Sequence, residues 1–348
     1  MHLVRIWGLF HPLIQFLSAL SVLVVVGYGG TLVILGSISL GDFIAFNMYL
    51  GMITWPMMAV GWVINNLQRG QASVARLKVI FDQRPDIVDE PDAVELRPME
   101  GRIEIKNLTF TYPGSDRPVL QDVNVTVEPG QTLAIVGRTG SGKTTLANLL
   151  LRVFDPPMGT IFIDGHDIRR ITLESLRTQI GYAPQDNFLF STTIAENIGF
   201  GGNFTREEIE EAAKKAQLHN DVMGFPHGYE TMVGERGVTL SGGQKQRTGI
   251  ARALVKNPRI MIFDDSLSAV DTQTEDAILR ELKRMMKGRT TILIAHRIST
   301  VKDADHIIVL DDGRIVEQGT HEELVALGGL YADTYERQLL EEELERAV

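Results

Sequence analysis

Gly137-Arg138-Thr139-Gly140-Ser141-Gly142-Lys143-Thr144 fits the pattern G-x-x-x-x-G-K-[ST], and its flanks decide how it reads. Before it, Thr132-Leu133-Ala134-Ile135-Val136 is a short apolar run of strand character. After it, Thr145 to Arg152 reads as the start of a helix. Glycines let the backbone wrap tightly around an anion, so that several N–H groups point inward. A helix N-terminus adds partial positive charge at the same point. In this frame Gly137 to Thr145 cradle the phosphates of a nucleotide, Lys143 reaches the β- and γ-phosphates, and the Thr144 hydroxyl holds Mg²⁺. A mere glycine-rich turn with an exposed lysine needs neither the strand before nor the helix after.

A second element supports nucleotide binding. Ile260-Met261-Ile262-Phe263 is an apolar run of the kind a fully buried parallel strand shows, and it ends in Asp264-Asp265. Open α/β sheets bind ligands at the carboxyl ends of their strands. There Asp264 meets the Mg²⁺ of a nucleotide, directly or through water.

The N-terminal quarter is different in kind. From Ile6 to Gly41 there is no Asp, Glu, Lys or Arg, and after Asp42 the run Phe43 to Gln68 is again uncharged. Each run exceeds the ~20 apolar residues that cross a bilayer, and buried core helices of that length carry a polar face that these lack. The reading is an all-α transmembrane hairpin over residues 1–81, with spans at about 10–35 and 43–67. Basic residues sit only at its outer ends, Arg5 before and Arg69, Arg76 and Lys78 after, so both ends face the cytoplasm. A cleaved signal peptide is disfavoured by the length of the first run and by the second span that follows. The net charge is −10; residues 1–80 carry +3, which leaves −13 for the rest. So acidic a soluble part argues against nucleic acid as a partner. With no cysteine there is no disulfide or thiol chemistry.

Pro56, inside the second span, predicts a kink there. Met48, Met52, Met57 and Met58 surround it and read as packing and lipid contact rather than a substrate surface. Residues 82–100, rich in acid and proline, read as a linker. Residues 101–348 then alternate short strands with helices after an antiparallel start, an α/β pattern. Strands are expected at Arg102–Thr111, Val119–Val127, Thr132–Gly137, Thr160–Asp164, Gln179–Ala183, Ile260–Phe263, Thr290–Ala295 and His306–Leu310. Helices are expected at Arg206–Gln217 and Gln244–Val255. The tail, Leu330 to Val348, is a helical acidic segment, read by default as a solvated helix.

Leu240-Ser241-Gly242-Gly243-Gln244 lies about twenty residues before Asp264 and opens a helix, a second anion-binding arrangement. One nucleotide needs only one γ-phosphate site in a chain, so the second serves the nucleotide of another subunit. At this point the chain resembles the ATP-binding-cassette (ABC) family, whose signature motif Leu240–Gln244 matches. The resemblance implies a phosphate-loop NTPase domain with an antiparallel β subdomain and a helical subdomain, using ATP and Mg²⁺. It implies further roles, residue by residue. Tyr112 stacks on adenine. Gln185, in Tyr182-Ala183-Pro184-Gln185-Asp186, meets Mg²⁺ and senses the γ-phosphate. Asp271, in Ser268-Ala269-Val270-Asp271, belongs to a loop at the dimer interface. His296 contacts the γ-phosphate. Gly234-Glu235-Arg236-Gly237 resembles the loop that touches the membrane domain in exporters.

Membrane part followed by cassette in one chain is similar to an exporter half-transporter, in the cell membrane with its cassette in the cytoplasm. Such proteins have six membrane helices, and the two here resemble the last two, so an N-terminally truncated protein is expected. The family's catalytic glutamate after the Walker B aspartate is here Asp265, one methylene shorter, which withdraws the carboxylate by roughly 1.5 Å. The chain's own site is therefore expected to bind ATP well and hydrolyse it slowly. That asymmetry resembles the degenerate subunit of bacterial heterodimeric multidrug exporters. The partners implied are a second half-transporter, the lipid bilayer and a transported small molecule, multidrug or lipid-like. A homodimeric exporter and a soluble ABC-family ATPase outside transport are the alternatives.

Overall fold

The computed structural model of the chain describes residues 2–234, 239–266 and 272–347. It divides into two compact units, Met1–Pro85 and Asp86–Val348.

The first unit is entirely helical. Helix α1 (His2–Val24) passes through a π-helical turn at Val25–Gly29 into α2 (Gly30–Ile34). A tight turn then leads to α3 (Leu40–Phe81). Ser39 caps α3: its hydroxyl accepts from the Asp42 N–H at 3.1 Å, and the Asp42 carboxylate accepts from the Ser39 N–H at 3.2 Å. This capping box explains why the one acid of the hairpin stands at the turn, where it satisfies helix-end donors. Pro12–Ile34 and Leu40–Phe81 are both long and apolar enough to cross a bilayer. Large side chains such as Phe16, Leu23, Trp55 and Trp62 stand exposed along them. At a rise of about 1.5 Å per residue, α3 is about 63 Å long, about twice the thickness of a hydrocarbon core. The helix continues through Pro56 without interruption. An irregular stretch of the hairpin is the π turn Val25–Gly29, which begins 13 residues beyond Pro12 in a sequence rich in valine and glycine. A π turn absorbs one extra residue per turn and needs no proline.

The second unit carries two sheets. β1 (Ile103–Phe110), β2 (Leu120–Val127), β4 (Ile161–Ile163) and β5 (His166–Asp167) form an antiparallel sheet in the order β2-β1-β4-β5. β3 (Thr132–Gly137), β6 (Ile180–Ala183), β7 (Ile260–Asp264), β8 (Thr290–Ile294), β9 (His306–Asp311) and β10 (Arg314–Gly319) form the main sheet, ordered β10-β9-β3-β8-β7-β6. Its pairings are parallel except for the β9–β10 hairpin. Both faces of the sheet are buried along β3, β7 and β8, which is why those strands read as continuous apolar runs, whereas the edge strand β10 is partly exposed. Leu133, Ile135, Ile260, Ile262, Ile292 and Ile294 face a core shared with the antiparallel sheet and α4 (Lys143–Leu150). Ala134, Val136, Met261, Phe263 and Leu293 alternate with them and face the other core.

That second core joins the sheet to α6 (Ile194–Ile198), α7 (Arg206–Lys215), α8 (His219–Met223) and α9 (Gly242–Val255). Helix α5 (Leu173–Thr178) precedes β6, α10 (Thr272–Met286) precedes β8, and α11 (Ile298–Val301) follows it. The chain closes with α12 (His321–Leu327) and α13 (Leu330–Ala347).

The segment 86–100 is hydrogen-bonded into the second unit. Val94 N–H donates to the Arg170 carbonyl at 2.7 Å, Thr172 N–H donates to the Val94 carbonyl at 3.0 Å, and Met99 is fully buried. Arg152, itself fully buried, donates to Val88 O at 3.1 Å, Ile171 O at 3.0 Å and Asp155 Oδ1 at 2.9 Å. Such ties run through backbone groups and single polar side chains, so they leave no periodic trace in the sequence.

Candidate nucleotide site

The loop from β3 into α4 has the backbone a phosphate cradle needs. Gly137 has φ 153° and Gly142 φ 103°, both in a region L side chains rarely adopt. A Cβ on Gly137 would lie 2.1 Å from the Leu310 carbonyl oxygen, and one on Gly142 would lie 2.7 Å from Leu120 Cδ2. Only glycine fits either position, and the pressure comes from β9 and β2, not from the loop itself. Gly142 is the N-cap of α4, so the loop that leaves the carboxyl end of β3 ends at a helix N-terminus.

Lys143 is 6% exposed, and its Nζ donates to the carbonyls of Gly137 and Arg138, both at 2.8 Å. Burial holds its ammonium below the ordinary lysine range, against the opposing pull of Asp264 and Asp265. Asp264, 1% exposed at the end of β7, is pushed up by burial; hydrogen bonding from Thr144 opposes that, the Asp265 charge adds to it, and Lys143 opposes again. Each group therefore leans toward its neutral form despite the other. A divalent cation beside Asp264 and phosphate beside Lys143 would remove that imbalance. Ser141 Oγ is buried with no hydrogen-bond partner, a donor held ready in the cradle. The glycine cradle, the orphaned serine hydroxyl and the charge imbalance together fit a magnesium nucleotide. Among the described residues no cluster of three His, Cys, Asp or Glu is placed to hold a metal, consistent with an ion bound by one carboxylate, a hydroxyl and the nucleotide itself.

The remaining candidates gather around this core to different degrees. Gln185, just after β6, directs Nε2 at Asp265 Oδ2 from 3.5 Å. Asp265 has φ 45°, and its N–H donates to the Ile294 carbonyl at 2.7 Å, which pins it to the end of β8. His296 is exposed and lines one cavity with Asp265, Ser266 and Thr300. Tyr112 is half-buried; its hydroxyl lies 2.9 Å from Thr145 Oγ1, and its ring packs edge-on against Phe110 and Phe154. Leu240 is buried, while Ser241 is exposed at the start of α9. Ser241 forms a capping box with Gln244: its hydroxyl accepts from Gln244 N–H at 3.3 Å, and its N–H donates to Gln244 Oε1 at 3.0 Å. Among the described residues no hydrogen bond joins Leu240–Gln244 to the phosphate loop. The loop Ser268–Asp271 and residues 235–237 lie outside the described residues.

The structure adds a residue that the sequence did not single out. Tyr182 on β6 places its hydroxyl 3.5 Å from Asp264 Oδ2, and burial and then the Asp264 charge push the phenol well above its ordinary range. Its neighbours along the chain give no hint of this, because the contact depends on β6 lying beside β7.

A parallel sheet with a glycine loop between β3 and α4, and a carboxylate at the tip of β7, defines a phosphate-loop nucleotide-binding domain. Residues 120–268 match the family model described as ABC transporter, and the second unit is an ABC transporter ATP-binding domain. The chain is 47% identical over 334 residues to YheI of Bacillus subtilis, a probable multidrug resistance ABC transporter ATP-binding/permease protein, covering 96% of this chain and 57% of that one. It is 44% identical over 342 residues to an ATP-dependent lipid A-core flippase of Syntrophus aciditrophicus (98% and 57%). With MdlA of Escherichia coli, a multidrug resistance-like ATP-binding protein, it shares 43% identity over 350 residues (100% and 59%). A solved structure of a bacterial Atm1-family ABC exporter with ATP bound superposes with a TM-score of 0.83 at 39% identity, covering 97% of this chain and 59% of that one. The chain thus spans a little over half the length of the relatives it matches.

Proposed function

We propose that this chain is the ATP-binding and ATP-hydrolysing part of an ABC exporter, and that its own site turns over slowly. The observation that carries the reading is the gathering of Lys143, Asp264, Asp265 and Gln185 at the carboxyl ends of β3, β7 and β6. Lys143 and the loop N–H groups bind the phosphates of ATP, and Thr144, Asp264 and Gln185 hold Mg²⁺. Bound Mg²⁺ supplies charge neutralisation at the phosphoryl oxygens. Asp265 orients the attacking water from a carboxylate that stands short of the reacting phosphorus, and His296 faces the γ-phosphate. Tyr112 presents its ring to the adenine while its hydroxyl is held by Thr145.

Ser241 and the N-terminus of α9 complete a site on a second half-transporter, with Asp271 at the same interface. Support comes from the exposure of Ser241 and from its hydrogen bonds, which stay within its own capping box. An unequal pair follows: a slow site built on this chain's Lys143, and a competent site built on a partner that carries glutamate. The two apolar helices serve as part of the membrane domain, with the ATP-binding unit in the cytoplasm. The cargo is an amphiphilic small molecule of the drug-like or lipid-like kind, a class suggested by the names of the relatives.

The test is ATPase turnover of the full-length protein in proteoliposomes, alone and mixed with the second half-transporter. Turnover is expected to be slow alone and fast in the mixture. Fast turnover by this chain alone would contradict the unequal pair in favour of a homodimer. Absence of ATP binding would contradict the nucleotide reading itself.

A further inference from the structure

The acidic C-terminal helix α13 is tied into the fold at its start. Glu317 on β10 accepts from the N–H groups of Leu330 and Tyr331. Tyr331 is 1% exposed, and its hydroxyl lies 2.8 Å from His321 Nδ1. About two turns further on, Gln338 reaches the segment that follows β8. Its Nε2 donates to the His296 carbonyl at 2.7 Å, and its Oε1 accepts from the Ile298 N–H at 2.8 Å. Only one orientation of the amide satisfies both bonds, so donor and acceptor are assigned by the geometry.

Ile298 begins α11, and the residue before it, Arg297, provides no side-chain cap. The first N–H of that short helix is therefore satisfied from a different helix altogether. The two bonds bracket residues 296–298, fixing the backbone on which the exposed His296 side chain stands. His296 shares its cavity with Asp265.

We propose that Gln338 is a positioning residue for ATP hydrolysis: from the C-terminal helix it clamps the loop that presents His296 to the γ-phosphate, which makes α13 part of the switch. This rests on His296 acting on the γ-phosphate, as proposed above. The clamp acts on the aim of the imidazole, not on nucleotide affinity, because neither bond involves the phosphate loop or Tyr112.

The experiment uses the full-length protein with its partner. Amide hydrogen exchange over residues 296–298 is measured without nucleotide. The single-turnover rate at this chain's own site and the ATP Kd are measured beside it. Gln338→Met keeps the length and removes both bonds. Exchange at the Ile298 amide is expected to rise about tenfold, and the single-turnover rate to fall about tenfold with Kd within about twofold. Gln338→Glu keeps the acceptor alone, so Ile298 protection is retained while the rate falls. Arg337→Ala, on the exposed face of the same helix, controls for loosening of α13 and leaves both readouts unchanged.

Unchanged exchange at Ile298 in Gln338→Met overturns the proposal, because the clamp is then absent. Raised exchange with an unchanged rate also overturns it, because the clamp then positions nothing. His296→Ala separates the two levels. If it abolishes hydrolysis while Gln338→Met does not slow it, the positioning role alone fails. If His296→Ala leaves the rate intact, the γ-phosphate role of His296 fails and the proposal fails with it.

Discussion

Asp265→Glu converts the shortened carboxylate into the longer one. The added methylene extends the carboxylate by about 1.5 Å, and an error of about 1 Å in a catalytic group costs on the order of a hundredfold. The single-turnover rate at this chain's site should therefore rise by about a hundredfold, close to 2.7 kcal/mol of barrier. The backbone sets a counter-term. Asp265 sits at φ 45°, a conformation that aspartate tolerates better than glutamate, so the variant should lose on the order of 1 kcal/mol of stability. Its N–H remains bonded to Ile294 O, so the side chain extends from an unmoved anchor. The assay is single-turnover hydrolysis at this site, with ATP affinity and thermal midpoint measured alongside. A faster rate with a slightly lower midpoint agrees with the geometry. An unchanged rate with intact ATP binding would show that carboxylate reach is not what limits this site.

Three other outcomes are open to measurement. Arg152→Ala leaves the carboxylate of Asp155 and the carbonyls of Ile171 and Val88 without their fully buried partner; denaturant unfolding should show a loss of about 3–5 kcal/mol, and a loss below about 1 kcal/mol would mean that water replaces it freely. Lys143 titrates below 10.5 because of its burial, so between its folded value and 10.5 the unfolded chain holds more protons than the folded one. Nucleotide-free stability should rise with pH across that window while ATP affinity falls, and Lys143→Arg should abolish both trends; parallel behaviour in the arginine variant would refute the assignment to Lys143. Gly249→Ala places a Cβ 1.6 Å from Asn187 Oδ1, so it should cost about 1–3 kcal/mol. Adding Asn187→Ala should recover most of that loss in a double-mutant cycle, and strict additivity would show that the two residues do not collide.

The readable parts of this chain are those whose physics is local. The phosphate loop announces itself because glycine, lysine and threonine are needed within one turn of chain. The strands of the main sheet announce themselves because burial on both faces demands unbroken apolar runs such as Ile260–Phe263. Strand order was not readable: β3 lies between β8 and β9, partners more than 150 residues away. For the same reason Tyr182 on Asp264 and Gln338 on the loop after β8 went unseen, since each depends on where a distant element docks. Pro56 lies inside α3, which keeps its helical assignment on both sides of it. The acids and prolines of 82–100 read as a linker, and what the sequence does not show is that Val88, Asp89, Glu90 and Val94 within it hydrogen-bond to Arg152, Leu173, Arg169, Arg170 and Thr172.

In the arrangement proposed above, ATP is enclosed between two chains, with Ser241 of this one facing its partner's phosphate loop. The 348 residues contain no cysteine, and any cysteine elsewhere in the two full-length chains is first replaced by serine. Ser241→Cys in this full-length chain is paired with a single cysteine in the partner's phosphate loop, and disulfide formation is followed with and without trapped ATP and Mg²⁺. Crosslinking that depends on nucleotide is the result the account predicts; no crosslink under trapping conditions, with both chains folded and ATP bound, would contradict it.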